Sequence, residues 1–242
     1  MLTCITFGIL TNELSPNNSL NLLIQSIISQ DIPNYEIIIA YSDGNINKVT
    51  NNKIHYFSVK KLSSKVNHNK KLEQHQKRQL ITKNANYDNI LFLKDYHILS
   101  ENWYAQIKNF SSDSKVVVGK IKFPNGERYL DRCSGNCKHP KYNYRTGILI
   151  DYKITDNNQL KKLDMYVSGA IFLVKKKLLE KLFKKFQKHE FIKDYDICKF
   201  IFSRIDYKIT LSESLIITKK QNLTPKYINR NKIIKNLQEI VS

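Results

Sequence analysis

Asp88-Asn89-Ile90-Leu91-Phe92-Leu93-Lys94-Asp95-Tyr96-His97 is the stretch on which the fold turns, because a run of large apolar residues empties directly into an acid. Such a run, bounded by polar residues and too short for a helix, predicts a buried strand that carries Asp95 to the edge of a sheet. In extended backbone Asp95 and His97 alternate across Tyr96, so both side chains point to the same side. A carboxylate oxygen and an imidazole nitrogen so placed suit Mn2+ or Mg2+ held jointly with a diphosphate. The plainer alternative is a strand-end turn in which Asp95 caps the helix near Glu101 or neighbouring amides.

Working outward toward the N-terminus, Leu2 to Leu10 reads as a core strand and Thr11 to Pro16 as the polar loop that ends it. Leu20, Leu23, Ile24, Ile27 and Ile28 recur at helical spacing, which predicts a helix over 18–30 packed by one face. A second buried strand is predicted at Tyr35 to Tyr41, closed by the turn Ser42-Asp43-Gly44-Asn45. A third follows at Lys53 to Val59, and a very polar helix at Asn67 to Ala85. Strands alternating with helices imply a largely parallel sheet whose ligand site lies at the strands' carboxyl ends.

Toward the C-terminus the pattern predicts a helix near Glu101 to Phe110 and a strand at Lys115 to Phe123. A loop-rich, substrate-facing region then runs from Pro124 to about Lys161. Met165 to Val174 reads as one strand, Lys175 to Gln187 and Glu190 to Ser203 as helices, and Tyr207 to Ile217 as a strand. Pro225 to Val241 reads as a basic C-terminal helix. No repeat or low-complexity linker divides the chain, and its length suits one large α/β domain.

The chain has 242 residues, 41% of them hydrophobic and 11% aromatic, which excludes the disordered class. No run approaches the roughly 18 apolar residues of a membrane-spanning helix, and the opening residues lack a signal peptide's basic start and cleavage site. Four cysteines (Cys4, Cys133, Cys137, Cys198) are too few for a disulfide framework at this length. The expected location is therefore the cytoplasm, including the cytosolic face of a membrane. A formal net charge of +19 predicts attraction to phosphates, anionic lipid or nucleic acid, although abundant Lys, Asn and Ile also fit plain codon bias. Cys133-x3-Cys137-x-His139 lacks a nearby fourth ligand, which argues against zinc. The P-loop, dinucleotide and hydrolase fingerprints are absent.

Taken in order, these features resemble the GT-A glycosyltransferases of the family-2 type over nearly the whole chain. The likeness is carried by Ser26-Ile27 and Gln30, Tyr35 to Ile39 leading to Asp43-Gly44, Lys77-Arg78, Asn84-Ala85, Ile90 to His97 and Trp103. In the second half it is carried by Met165 to Lys176 with Gly169, and by Glu190 to Cys198. The resemblance implies a single GT-A, Rossmann-like domain over 1–242 with a mostly parallel sheet flanked by helices. Residues 1–100 would bind the nucleotide-sugar and 101–242 the acceptor.

It further implies that Asp95 and His97 replace the acids of the family's metal-binding Asp-x-Asp motif. Asp43 would hydrogen-bond the nucleoside, Asp194 would be the catalytic base, and Lys77 and Arg78 would contact the diphosphate; solvated side chains on a polar helix are the plainer reading of that last pair. Thr11, at the end of the first strand, joins the donor-binding candidates. The implied reaction is sugar transfer from a nucleotide-diphospho-sugar to a glycan, lipid-linked or protein acceptor, with Mn2+ or Mg2+ and inversion at the anomeric carbon.

Three departures stand out. The paired acids of the family's second strand are reduced to Asp43 alone behind Tyr41-Ser42. Lys193 stands where an acid usually precedes Asp194, leaving Glu190 and Asp196 open as the base. No histidine follows His189, so a third metal ligand is missing. The basic C-terminal segment suits peripheral contact with an anionic membrane. Two rivals are a non-catalytic nucleic-acid-binding protein and a degenerate glycosyltransferase fold that binds without turnover.

Overall fold

The architecture is that of a computed structural model, which describes residues 2–11, 19–42, 48–60, 67–109, 116–128, 132–138, 145–149, 165–167, 172–185 and 209–218. Three apolar runs of the first half form strands: β1 (Cys4–Thr11), β2 (Asn34–Ser42) and β4 (Asn89–Lys94). Together with β3 (Ile54–Val59) they pair in parallel in the order β3-β2-β1-β4. The helices α1 (Ser19–Ile28) and α2 (Asn67–Asn84) make the connections.

Alternation along each strand separates two cores. Phe7, Ile9, Ile37, Ile39, Leu91 and Leu93 face α1, whose Leu23, Ile24 and Ile27 are buried, and α3 (Trp103–Ile107), which adds Trp103, Tyr104 and Ile107. The opposite face carries α2, whose Ile81 lies directly over Gly8 beside Phe92. α4 (Lys176–Lys185) buries Leu178, Leu179, Leu182 and Phe183, and its Phe183 meets His75 of α2 edge-on at 5.4 Å.

The sheet then takes up strands from the second half. β10 (Phe172–Lys175) runs antiparallel between β4 and β6 (Val116–Lys122). β11 (Ile209–Thr218) lies parallel to β6, and β5 (His97–Leu99) closes the edge antiparallel to β11. The resulting eight-stranded order is β3-β2-β1-β4-β10-β6-β11-β5. This is the expected α/β class, with a mostly parallel sheet flanked by helices. Among the described residues no helix is long and apolar enough to cross a membrane.

Several expectations change. The region 124–161 is not loop throughout: β7 (Arg132–Lys138) and β8 (Arg145–Leu149) form an antiparallel pair, joined by β9 (Met165–Val167) in a second, three-stranded sheet. The single strand expected over 165–174 is thereby divided between two sheets. The helix expected over 101–110 is one and a half turns long, Trp103–Ile107. The helices expected at 190–203 and 225–241 lie outside the described residues.

Candidate active site

The first half of the sheet winds outward from β1 through β2 to β3, then returns to place β4 on the other side of β1. Between β1 and β4 the connections diverge, and the crevice beyond the carboxyl ends of such strands is where open α/β sheets bind ligands. Thr11 ends β1 there, and Asp95 follows β4 directly. The Thr11 hydroxyl donates to Asp95 Oδ2 at 2.6 Å, tying the two strand ends together across the switch point.

Beside them stands Lys77, which is fully buried (0% exposed) and not a solvated side chain of a polar helix. Its ammonium donates to the Thr11 carbonyl at 2.6 Å, to Ser42 Oγ at 2.7 Å and to Glu73 Oε1 at 2.7 Å. Ser42 at the end of β2 also donates to Glu73 Oε1. One polar cluster thus links β1, β2 and α2 and adjoins the Asp95 carboxylate. Burial pulls the Lys77 pKa down, while the hydrogen bond and charge of Glu73, and then the charge of Asp95, pull it up. Arg78 is buried as well, at 2% exposed. It lies close enough to His75 to add its charge to the burial that lowers that residue's pKa.

His97 departs from the extended alternation expected of it. Residues 95–96 form a turn, and the buried His97 ring folds back so that Nδ1 accepts the Lys94 N–H at 3.1 Å. A neutral imidazole accepting through Nδ1 carries its proton on Nε2. A cation could take a ring lone pair only by displacing the Lys94 bond or that proton. Among the described residues no three of His, Cys, Asp and Glu converge on one point. Within the described residues, then, Asp95 stands without two further such ligands beside it. Asp43 and Asp194, together with Glu190 and Asp196, lie outside the described residues.

The segment that leaves Asp95 is clamped from behind. Ser26 Oγ accepts the Leu99 N–H at 3.1 Å, Gln30 Nε2 donates to the Ser100 carbonyl at 3.0 Å, and the Tyr104 N–H donates to Gln30 Oε1 at 3.0 Å. Two motif residues, Ser26 and Gln30, thus act as scaffold for the strand exit. Glu73 and Ser42 were missed as site residues from sequence. The available signal was the Glu73-x3-Lys77 spacing, which puts both on one helix face.

No family model matches the chain, and neither does any curated protein. Among solved structures, S. aureus TarS 1–349 in complex with UDP-GlcNAc is 13% identical with a TM-score of 0.54, covering 95% of this chain and 64% of that one. S. aureus TarS 1–349 alone gives 13% identity and a TM-score of 0.49, over 89% and 58% of the two chains. The chain thus spans less than two thirds of the length of either TarS structure. At this identity the likeness speaks to fold: the chain has the α/β architecture of the UDP-GlcNAc complex of TarS 1–349.

Proposed function

We propose that the chain is a glycosyltransferase that binds a nucleotide-diphospho-sugar beyond the carboxyl ends of β1, β2 and β4. The observation that carries this reading is the 2.6 Å Thr11–Asp95 bond at the switch point, with the buried Lys77 ammonium beside it. An acid that can hold a divalent cation at a crevice of this kind suits a ligand whose diphosphate charge that cation would neutralise, with Lys77 fixing the strand ends beneath it. The architecture shared with a UDP-GlcNAc-bound protein supports the same ligand class.

Asp95 would hold Mn2+ or Mg2+ jointly with the donor phosphates, and that cation, when bound, neutralises charge on the departing nucleoside diphosphate. In the geometry above, His97 serves the turn that presents Asp95 and would join the metal on giving up its Lys94 bond or its ring proton. Asp194, with Glu190 and Asp196 as alternatives, would take the proton of the acceptor hydroxyl. That oxygen forms the new bond to the anomeric carbon as the bond to the diphosphate breaks on the opposite face, inverting the configuration. A glycan, lipid-linked or protein acceptor fits this chemistry, and so does a place in the cytoplasm or on an anionic membrane.

The test is thermal unfolding against UDP-, GDP-, dTDP- and CMP-sugars with and without Mn2+, in wild type and Asp95→Ala. At a hundred times its dissociation constant a donor adds about 2.7 kcal/mol, or roughly 5–10 °C for a chain of this size. A Mn2+-dependent shift that Asp95→Ala abolishes is the expected result. No shift with any sugar nucleotide, together with a shift on adding oligonucleotides, overturns the reading in favour of nucleic-acid binding. That alternative needs exposed rings for stacking, and among the described residues of 2–128 and 173–185 each Phe, Tyr and Trp side chain is at least partly buried.

A further inference from the structure

We propose that Glu73 is a positioning residue of the donor site, supplying from α2 the carboxylate that the end of β2 lacks at Ser42 and fixing the Lys77 ammonium against Thr11. The inference rests on the donor-binding reading above and assigns a role to a residue outside the sequence motifs.

The Lys77 ammonium donates to Thr11, Ser42 and Glu73. Two of these acceptors are neutral, and Glu73, by hydrogen bond and charge, does more than Asp95 to offset the burial of the ammonium. It is itself buried, at 7% exposed, and its Oε1 receives both Lys77 and Ser42. From there a continuous path runs through Lys77 to the Thr11 carbonyl, and from the Thr11 hydroxyl to Asp95 Oδ2. Removing the carboxylate takes away the larger of the two carboxylate influences that offset the burial of Lys77, leaving the weaker pull of Asp95, so the ammonium is held less firmly at the ends of β1 and β2. The end of β1 at Thr11 is then held less firmly, and with it the orientation of Asp95.

Because Lys77 is 2.7 Å from Ser42 Oγ and equally 2.7 Å from Glu73 Oε1, a carboxylate moved from α2 to position 42 would meet the same ammonium. That relocation separates positioning from packing. Titration calorimetry with UDP-GlcNAc and Mn2+, extended to the other sugar nucleotides of the thermal panel, would compare wild type, Glu73→Gln, Glu73→Asp and Ser42→Asp/Glu73→Gln. Glu73→Gln is expected to weaken donor binding about tenfold, as for coupled members of one network, and the double variant to return within about threefold of wild type. Should Glu73→Gln fail to fold, Glu73→Asp, which draws the carboxylate back by one methylene, is expected to weaken binding several-fold. Wild-type affinity in Glu73→Gln or Glu73→Asp overturns the proposal alone, as does weakening that Ser42→Asp does not restore. A wild-type protein that binds no sugar nucleotide overturns the donor-site reading and this proposal with it.

Discussion

Replacing Gly8 with alanine tests whether α2 is seated closely enough on β1 to carry Lys77 to the strand end. A Cβ at position 8 would lie 2.6 Å from Ile81 Cγ2, 3.0 Å from Phe92 Cδ1 and 3.3 Å from Ile81 Cδ1. Carbon atoms pack at about 3.5–4.0 Å, so the nearest contact is short by roughly 1 Å. Neither neighbour can swing into solvent, because Ile81 is 0% and Phe92 1% exposed. Overpacking of this kind costs about 1–3 kcal/mol, and the gain from replacing a strand glycine returns about 0.5–1 kcal/mol. The difference spans about 0–2.5 kcal/mol, and a 2.6 Å contact with a fully buried side chain puts Gly8→Ala in the upper part, a loss of about 1–2.5 kcal/mol that lowers Tm by roughly 2–10 °C in a chain of this length. Ile81→Ala removes two of the three offending carbons, the nearest among them, and alone costs about 2–5 kcal/mol as a cavity. The double variant should therefore be more stable than the two losses predict by about 1 kcal/mol or more. Urea denaturation followed by circular dichroism measures all three. Lys77 lies one turn before Ile81 on the same face, so Gly8→Ala should also weaken donor binding in calorimetry. A Gly8→Ala protein as stable as wild type, or more so, would refute the close seating and the placement of Lys77 derived from it.

Two further substitutions probe the buried polar groups. His75 is buried against Phe183 with Nδ1 unpaired, and burial first, then the Arg78 charge, lowers its pKa below 6.5. The unfolded chain therefore binds more protons than the folded one as pH falls below about 6.5, and the stability present above that pH is lost on acidification. His75→Phe should flatten the decline of Tm between pH 7 and pH 5, and an unchanged slope would assign the acid sensitivity to other groups. Glu36, 4% exposed, accepts from Thr6 Oγ1, the Asn86 N–H and Asn86 Nδ2, each at 2.6 Å. Glu36→Ala orphans the buried Thr6 hydroxyl and unpins the turn before β4, at a cost of about 2–4 kcal/mol in chemical denaturation; a loss under about 0.5 kcal/mol would mean that the carboxylate is not holding those donors.

What the sequence yields and what it withholds divides along the range of the interactions. β1, β2 and β4 are legible because each is an apolar run buried on both faces, and such runs have few other ways to hide. β5 is three residues long and owes its existence to β11, more than a hundred residues away, so no local pattern announces it. β7, Arg-Cys-Ser-Gly-Asn-Cys-Lys, has neither alternation nor an apolar run; backbone pairing with β8 and β9 makes it a strand. The acid after β4 was readable as a site residue from its position alone. Its nearest partner, the Thr11 hydroxyl, is 84 residues distant and becomes visible only once β1 and β4 are neighbours.

Helix α2 shows why the remainder of the site escaped. Its composition is that of a solvated helix, yet Glu73, His75, Lys77, Arg78 and Thr82 are all buried. The reason lies in its course along the sheet. Ile81 covers Gly8 in the middle of β1, Lys77 reaches Thr11 at the strand's end, and Lys77 with Glu73 meets Ser42 at the end of β2. A helix that returns the chain for a parallel strand must run antiparallel to the strands, so its first turns lie over their carboxyl ends and its last turns over their apolar middle. Apolar periodicity is consequently required only toward its C-terminus. Nearer its N-terminus the helix faces backbone carbonyls and hydroxyls at the ligand edge, and there burial selects polar side chains. A polar helix between two buried strands of a parallel sheet is thus ambiguous from hydropathy alone, and an acid and a lysine four residues apart about its middle are what mark it as part of a site.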